Sequence, residues 1–155
     1  MSCATHNKYM RIAVDLADRA RSKGNHPFGA ILVCDGEIIL KAENTVISDR
    51  DATRHAELNL VSDAARQFEQ AVLERSVLYS STEPCPMCAA AIYWTGIRKV
   101  IYGCPTETLA ALAGGSLTVP CREVFARGVN STEIFGPILE AEAKKSHEGF
   151  WMASQ

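Results

Sequence analysis

The stretch Ser81-Thr82-Glu83-Pro84-Cys85-Pro86-Met87-Cys88 constrains this chain more than any other, because it sets two thiols two residues apart at the head of a helical segment. Before it, Val77-Leu78-Tyr79-Ser80 is β-prone. After it, Ala89-Ala90-Ala91-Ile92-Tyr93-Trp94 is apolar and helix-compatible, and Pro86 suits a first helical turn. The stretch therefore reads as a strand, a tight turn and a helix start. Cys85 and Cys88, three apart on that turn, share a face, and the unpaired N–H groups of a helix N-terminus favour thiolate over thiol. Two thiolates on one face call for a cation.

On its own a C-x-x-C pair is half a zinc site, a redox dithiol or two core cysteines. His55-Ala56-Glu57 changes the balance. A lone histidine at a helix start is more often a cap or a surface residue. Here it has a carboxylate two residues on and the cysteine pair thirty residues downstream. One nitrogen and two sulfur ligands leave a fourth tetrahedral position open, which distinguishes catalytic from closed structural zinc. A redox role leaves the His-Ala-Glu unit unexplained, and structural zinc needs a fourth protein ligand, for which Cys104 is the nearest downstream cysteine. Zinc lowers the pKa of bound water from ~15.7 to ~7 in favourable sites. Glu57, two residues from His55, is the candidate proton carrier beside such a water. The arrangement H-x-E…P-C-x-x-C is the known signature of zinc-dependent base deaminases.

Around this centre the pattern alternates strands and helices. Residues 5–23 carry Met10, Ala13, Val14, Ala17 and Ala20 at helical spacing, and Gly24-Asn25 ends the helix. An apolar strand, 26–34, turns at Asp35-Gly36 into an antiparallel return, 37–44. A polar loop, 45–54, leads to a helix over 55–68. The cysteine turn follows a strand at 77–81, and its helix runs from Pro86 to Thr95 and closes at Gly96. Then come a strand at 99–103, a loop or short helix at 106–113, the flexible Gly114-Gly115-Ser116, a short helical piece at 121–126, a fifth strand within 131–136 and a last helix from Pro137. The expected fold is α/β, a three-layer α/β/α arrangement on a five-stranded mixed sheet, as one domain over 1–155.

Composition bounds the partners. Hydrophobic residues make up 47% and charged residues 22%, as in an ordinary globular protein, and the formal net charge is −2. Proteins that hold nucleic acid usually carry a basic footprint, which this chain lacks, so a nucleic-acid partner is not expected. No apolar run approaches the ~18 residues of a membrane span, and no secretory segment opens the chain. Six cysteines without such a segment suggest a reducing, cytoplasmic setting, with Cys34, Cys104 and Cys121 as small buried hydrophobes.

From the His-Ala-Glu and Pro-Cys-Pro-Met-Cys units the chain resembles the cytidine deaminase-like superfamily, in particular its bacterial guanine deaminase and tRNA adenosine deaminase branches. The resemblance runs from the first helix to Trp151. It implies zinc held by His55, Cys85 and Cys88, Glu57 as proton shuttle, and a homodimer with the helix after the cysteine turn near the interface. It also implies substrate contacts from Asn44, from Phe28 in Pro-Phe-Gly-Ala, from the backbone N–H of Ala56, and from Glu83. Trp94 either lines the pocket or fills the core; Phe150 and Trp151 either cap the pocket or anchor the last helix. The acidic residue that guanine deaminases carry near Gly115-Ser116 is absent, and Glu140 or Glu142 could replace it. The tail 146–155 lacks the basic residues of tRNA deaminases. A small nucleobase, guanine-like, is the expected substrate. The alternatives are a tRNA adenosine deaminase, a cytosine deaminase, and a non-catalytic zinc-binding interaction module. His6, His26 and His147 lack such company and are expected at turns or facing solvent.

Overall fold

The computed structural model describes residues 2–115 and 117–154, so Ser116 of the predicted flexible stretch lies outside the described residues. Five strands form one sheet: β1 (Gly29–Cys34), β2 (Glu37–Glu43), β3 (Val77–Thr82), β4 (Lys99–Cys104) and β5 (Glu133–Phe135). Their spatial order is β2-β1-β3-β4-β5. β1 is antiparallel to both β2 and β3, whereas β3/β4 and β4/β5 are parallel. The sheet is therefore mixed, as the Asp35-Gly36 hairpin requires.

Strands β1 and β3 are buried along their whole length, because both faces of the sheet are covered. Alternate side chains of β1 point to opposite layers. Ile31 and Val33 join Tyr79, Ile101, Met10 and Ala13 beneath α1 (Cys3–Ser22) and α8 (Glu140–Lys145). Ala30 and Leu32 join Leu60, Ala89 and Ile92 on the other side, where α3 (Ala56–Gln67) and α5 (Pro86–Thr95) pack. Gly29 opens β1 where α1 crosses it: a Cβ there would collide with the backbone of Ala13 and Ala17, so only glycine permits this approach. Among the described residues no helix is long and apolar enough to cross a membrane.

The elements differ from expectation in three places. Within the polar loop 45–54 lies a single-turn helix, α2 (Val46–Asp49), nucleated by Asn25, whose side-chain oxygen accepts from the Ile47 and Ser48 amides. A helix α4 (Gln70–Arg75) fills a stretch that gave no clear signal, and it seats Leu73 in the core. The last helix does not begin at Pro137: the Ile138 amide is still bonded to the Tyr102 carbonyl, and Leu139 takes a left-handed conformation before α8 starts at Glu140. It ends at Lys145, and a turn leads to a short 3-10 helix, Trp151–Ser154. The remaining helices are α6 (Thr106–Ala113) and α7 (Cys121–Phe125), at the pieces read as short and helical.

Candidate active site

Two helix N-termini meet at the carboxyl ends of the central strands, and each offers its cap residue. His55 is the N-cap of α3 and Cys85 the N-cap of α5, both with the extended backbone of that position. Pro86 occupies the first turn of α5, so the chain leaves β3 at Thr82 and enters the helix within three residues. The next turn brings Cys88 back to the same face. His55 Nδ1 lies 3.6 Å from Cys85 Sγ and 3.6 Å from Cys88 Sγ, and the three donor atoms fall within 4.8 Å of one another. Tetrahedral zinc with Zn–N of about 2.05 Å and Zn–S of about 2.3 Å requires an N···S separation of about 3.6 Å. The donor set therefore fits zinc in both chemistry and spacing.

The thiols are poised for a metal. Cys85 is held down at about 4 by its bond with Cys88 and by His55, whereas the same bond and burial push Cys88 up. The pair thus shares one proton. His55 is raised, chiefly by its bond with Cys85.

Glu57 stands on the first turn of α3, 4% exposed. Burial raises its carboxyl above the usual range, and a bond from Ser80 opposes that rise. Ser80 Oγ donates to Glu57 Oε1 at 2.5 Å, which ties α3 to the middle of β3.

His55, Glu57 and Cys85 open onto a partly enclosed cavity of about 150 Å³. Phe28, His55, Glu57 and Cys85 form one wall; Leu109 and Ala110 of α6, Thr118 and Trp151 form the other. The Phe28 ring lies parallel to His55, within 3° at 6.4 Å between centroids. Asn44 is 1% exposed and is tied to this wall by its amide, which donates to the Phe28 carbonyl at 3.1 Å. Its Oδ1 accepts from the Val46 amide, but its buried Nδ2 has no partner among the described residues. Buried polar groups are ordinarily hydrogen-bonded, so this N–H₂ is available to an acceptor from outside the protein. Ala56 is buried at the first position of α3, where backbone N–H groups lack intrahelical acceptors.

Glu83 also lines the cavity, but its carboxylate is engaged. Oε2 accepts from the Thr106 amide at 2.9 Å and Oε1 from the Cys121 amide at 2.8 Å, at the starts of α6 and α7. It holds the far wall of the pocket in place.

Other expectations are corrected. Trp94 is 82% exposed and neither lines the pocket nor fills the core, because it lies about 200° around α5 from the inward Ile92 and borders a separate groove with Leu58 and Ala91. Glu142 points away from the site and forms an exposed pair with Arg11 at 3.0 Å, since α8 turns Ala143 toward the sheet. Glu140 accepts from Thr108 Oγ1. Phe150 packs edge-on against Trp151 at 4.9 Å, beneath the Arg21 guanidinium. His147 is not solvent-facing: it is 1% exposed and bonded to Thr82. His6 is half-buried against the Tyr79 hydroxyl, and His26 packs against Trp151. Only the position of His147 three and four residues before the Phe150-Trp151 pair could have signalled its burial.

The chain belongs to the family defined by the cytidine and deoxycytidylate deaminase zinc-binding region, which matches residues 3–104. A probable cytosine deaminase of Schizosaccharomyces pombe is 36% identical over 148 residues, covering 92% of this chain and 90% of its own. The guanine deaminase of Bacillus subtilis is 40% identical over 110 residues, 70% of each chain, and the tRNA-specific adenosine deaminase of that organism is 39% identical over 95 residues, 61% of this chain and 59% of its own. Among solved structures, one from work on A-to-I editing by tRNA:A34 deaminases superposes with a TM-score of 0.74 at 30% identity, covering 90% of this chain and 98% of that one. The Bacillus subtilis guanine deaminase structure gives 0.63 at 36% identity over 68% of each. The family thus includes proteins named for small bases and for tRNA, so a low basic content does not argue against a nucleic-acid partner here.

Proposed function

We propose that the protein is a zinc-dependent hydrolytic deaminase of a free nucleobase, releasing the exocyclic amine as ammonia. The observation that carries this reading is the small, partly enclosed cavity lined together by His55 and Cys85 of the donor set and by the buried Glu57. Its volume of about 150 Å³ and its flanking Phe28, Leu109 and Trp151 suit a flat aromatic ring system beside the donor set.

Zinc held by His55, Cys85 and Cys88 would make water nucleophilic at neutral pH. Glu57 would take a proton from the attacking water as its oxygen adds to the amine-bearing carbon, and would deliver it to the adjacent ring nitrogen. It then carries the second proton to the amine, the C–N bond breaks, and a carbonyl replaces the amine. Ser80 keeps the carboxylate aimed throughout. Phe28 and Trp151 exclude water from the ring, and the free Asn44 Nδ2 donates to a ring acceptor.

A guanine-like purine is the first substrate, supported by Pro27-Phe28-Gly29-Ala30 and the guanine deaminase relative. Cytosine is the second reading. It is favoured by the probable cytosine deaminase, which aligns over 92% of the chain, and by the two carboxylates that could take a guanine 2-amino group: each oxygen of Glu83 already accepts a backbone amide, and Glu140 does not line the cavity. The test is zinc-loaded protein with a panel of free bases, nucleosides and anticodon-stem RNA, following ammonia and product, with Glu57→Ala as control. Turnover of guanine or cytosine alone is expected. Turnover of RNA alone overturns the reading.

A further inference from the structure

Behind the cavity wall, a buried side chain outside the metal-binding motif joins the C-terminal segment to the sheet. His147 Nε2 lies 2.7 Å from Thr82 Oγ1, and Trp151 Nε1 donates to His147 Nδ1 at 3.3 Å. An indole nitrogen can only donate, so Nδ1 must be the acceptor and carry no proton. The neutral ring therefore bears its proton on Nε2 and donates it to Thr82. We propose that His147, in this Nε2–H form, is a positioning residue that fixes Trp151 as the pocket wall and thereby restricts the substrate to a free base.

The neighbours of the ring support this assignment. Thr82 ends β3 and is followed by Glu83, Pro84 and Cys85, so the bond anchors the C-terminal segment to the strand that feeds the metal donors. Trp151 itself lines the cavity. Phe28, on the metal side of that cavity, contacts His147 at 5.1 Å and Trp151 at 6.1 Å between centroids. A shift of Trp151 thus widens the pocket next to Phe28. The turn around His147 is held independently: Arg21 Nη1 donates to the Ser146 and Glu148 carbonyls at 2.9 and 2.8 Å, and Ser146 Oγ donates to Asp18 at 2.7 Å. Those bonds hold the backbone against α1 without orienting the indole; His26 and Phe150 pack against its ring, and His147 accepts from its N–H. Burial keeps the imidazole neutral, lowered to about 4, as an acceptor at Nδ1 requires.

The substrate half of this inference rests on the proposed deaminase reading; the geometric half does not. The experiment begins with imidazole ¹⁵N NMR of the metal-loaded wild type, where an Nε2–H ring is expected and an Nδ1–H or doubly protonated ring at neutral pH overturns the proposal. Trp151 is then made the sole tryptophan with Trp94→Phe, and His147→Leu, His147→Gln and Trp151→Phe are compared. His147→Leu should raise acrylamide quenching of Trp151 about twofold and the KM for the free base about fivefold or more, with kcat within about twofold, as loss of one neutral hydrogen bond implies. The nucleoside-to-base ratio of kcat/KM should rise in the same variant, and His147→Gln should restore part of each. Unchanged quenching and KM in His147→Leu overturn the proposal, as does an equal fall in kcat for base and nucleoside. Should His147→Leu not fold, Trp151→Phe, which keeps an aromatic side chain but loses the N–H donor together with the indole's five-membered ring, must still raise KM for the base. If no free base is turned over by the wild type, the deaminase reading fails while NMR and quenching still decide the role of His147.

Discussion

Ser80 Oγ donates to Glu57 Oε1 at 2.5 Å inside a fully buried pair. The hydroxyl comes from a central strand and the carboxylate from the first turn of α3, so the bond sets where the carboxylate stands relative to the three donor atoms. Ser80→Ala removes a hydrogen bond to an ionisable group, worth about 1.5–3 kcal/mol. If the full value is lost in the transition state, kcat falls about ten- to hundredfold. Glu57→Gln should cost more, on the order of 10²–10⁴. Zinc content, measured by elemental analysis, should stay at the wild-type level in both, which separates loss of proton transfer from loss of the metal.

Glu83 bridges two helix starts, accepting one amide from Thr106 and one from Cys121. Glu83→Ala leaves two buried N–H groups without acceptors, at about 1–3 kcal/mol each. A loss of roughly 2–5 kcal/mol follows, visible in chemical denaturation of the metal-loaded protein. Glu83→Gln retains one acceptor oxygen and should lose about half as much. Equal stability of all three proteins would mean that the bonds do not hold the pocket wall.

How much of this was legible beforehand follows from where each signal lies. The strand, turn and helix around Cys85 are local, and Pro86 and Gly96 mark their ends, so this element emerged with the expected boundaries. His55 and Glu57 were legible because their spacing carries chemistry. Glu83 was also picked out, but as a substrate contact. Its partners lie 23 and 38 residues away, and no local pattern announces that a carboxylate will be used up on two amides. Trp94 and Glu142 failed for a related reason: a motif match does not say which way a helical side chain faces, and α5 and α8 turn these two outward. The burial of His147 had one local signal, its spacing from Trp151, while its bond to the sheet runs to Thr82, 65 residues away.

Removal of the metal should cost stability as well as activity. The donor atoms belong to the N-cap residues of α3 and α5 and to the first turn of α5, so an ion bound among them ties two helix N-termini together. Binding to the folded state alone adds about 4.1 kcal/mol when free zinc is a thousandfold above Kd. Thermal scans with zinc and with excess chelator should differ accordingly, and elemental analysis should give one zinc per chain. Cys88→Ser should remove the difference between the two scans, and a difference that survives it would place the bound metal elsewhere.

His147 makes the fold sensitive to acid in a window of its own. Its folded value, about 4, lies below the ordinary 6.5, so between those values the unfolded chain binds the proton and the folded chain does not. Stability therefore rises with pH through this window and is lost as pH falls from about 6.5 toward 4. The shift of about 2.5 units corresponds to about 3 kcal/mol at most, and with the side chain 1% exposed solvent screening reduces it little. His26 and His6 are lowered by burial in the same sense and add to the slope, whereas Asp51 and Glu142, lowered by their hydrogen bonds to Thr53 and Arg11, matter only at more acidic pH. Urea denaturation of the zinc-loaded protein at intervals from pH 7 to 5 should show a falling free energy of unfolding. His147→Leu, whatever its absolute stability, should show a shallower fall over the same range. Parallel curves for the two proteins would mean that His147 is protonated in the folded state, and the bond from Trp151 would then have to be redrawn.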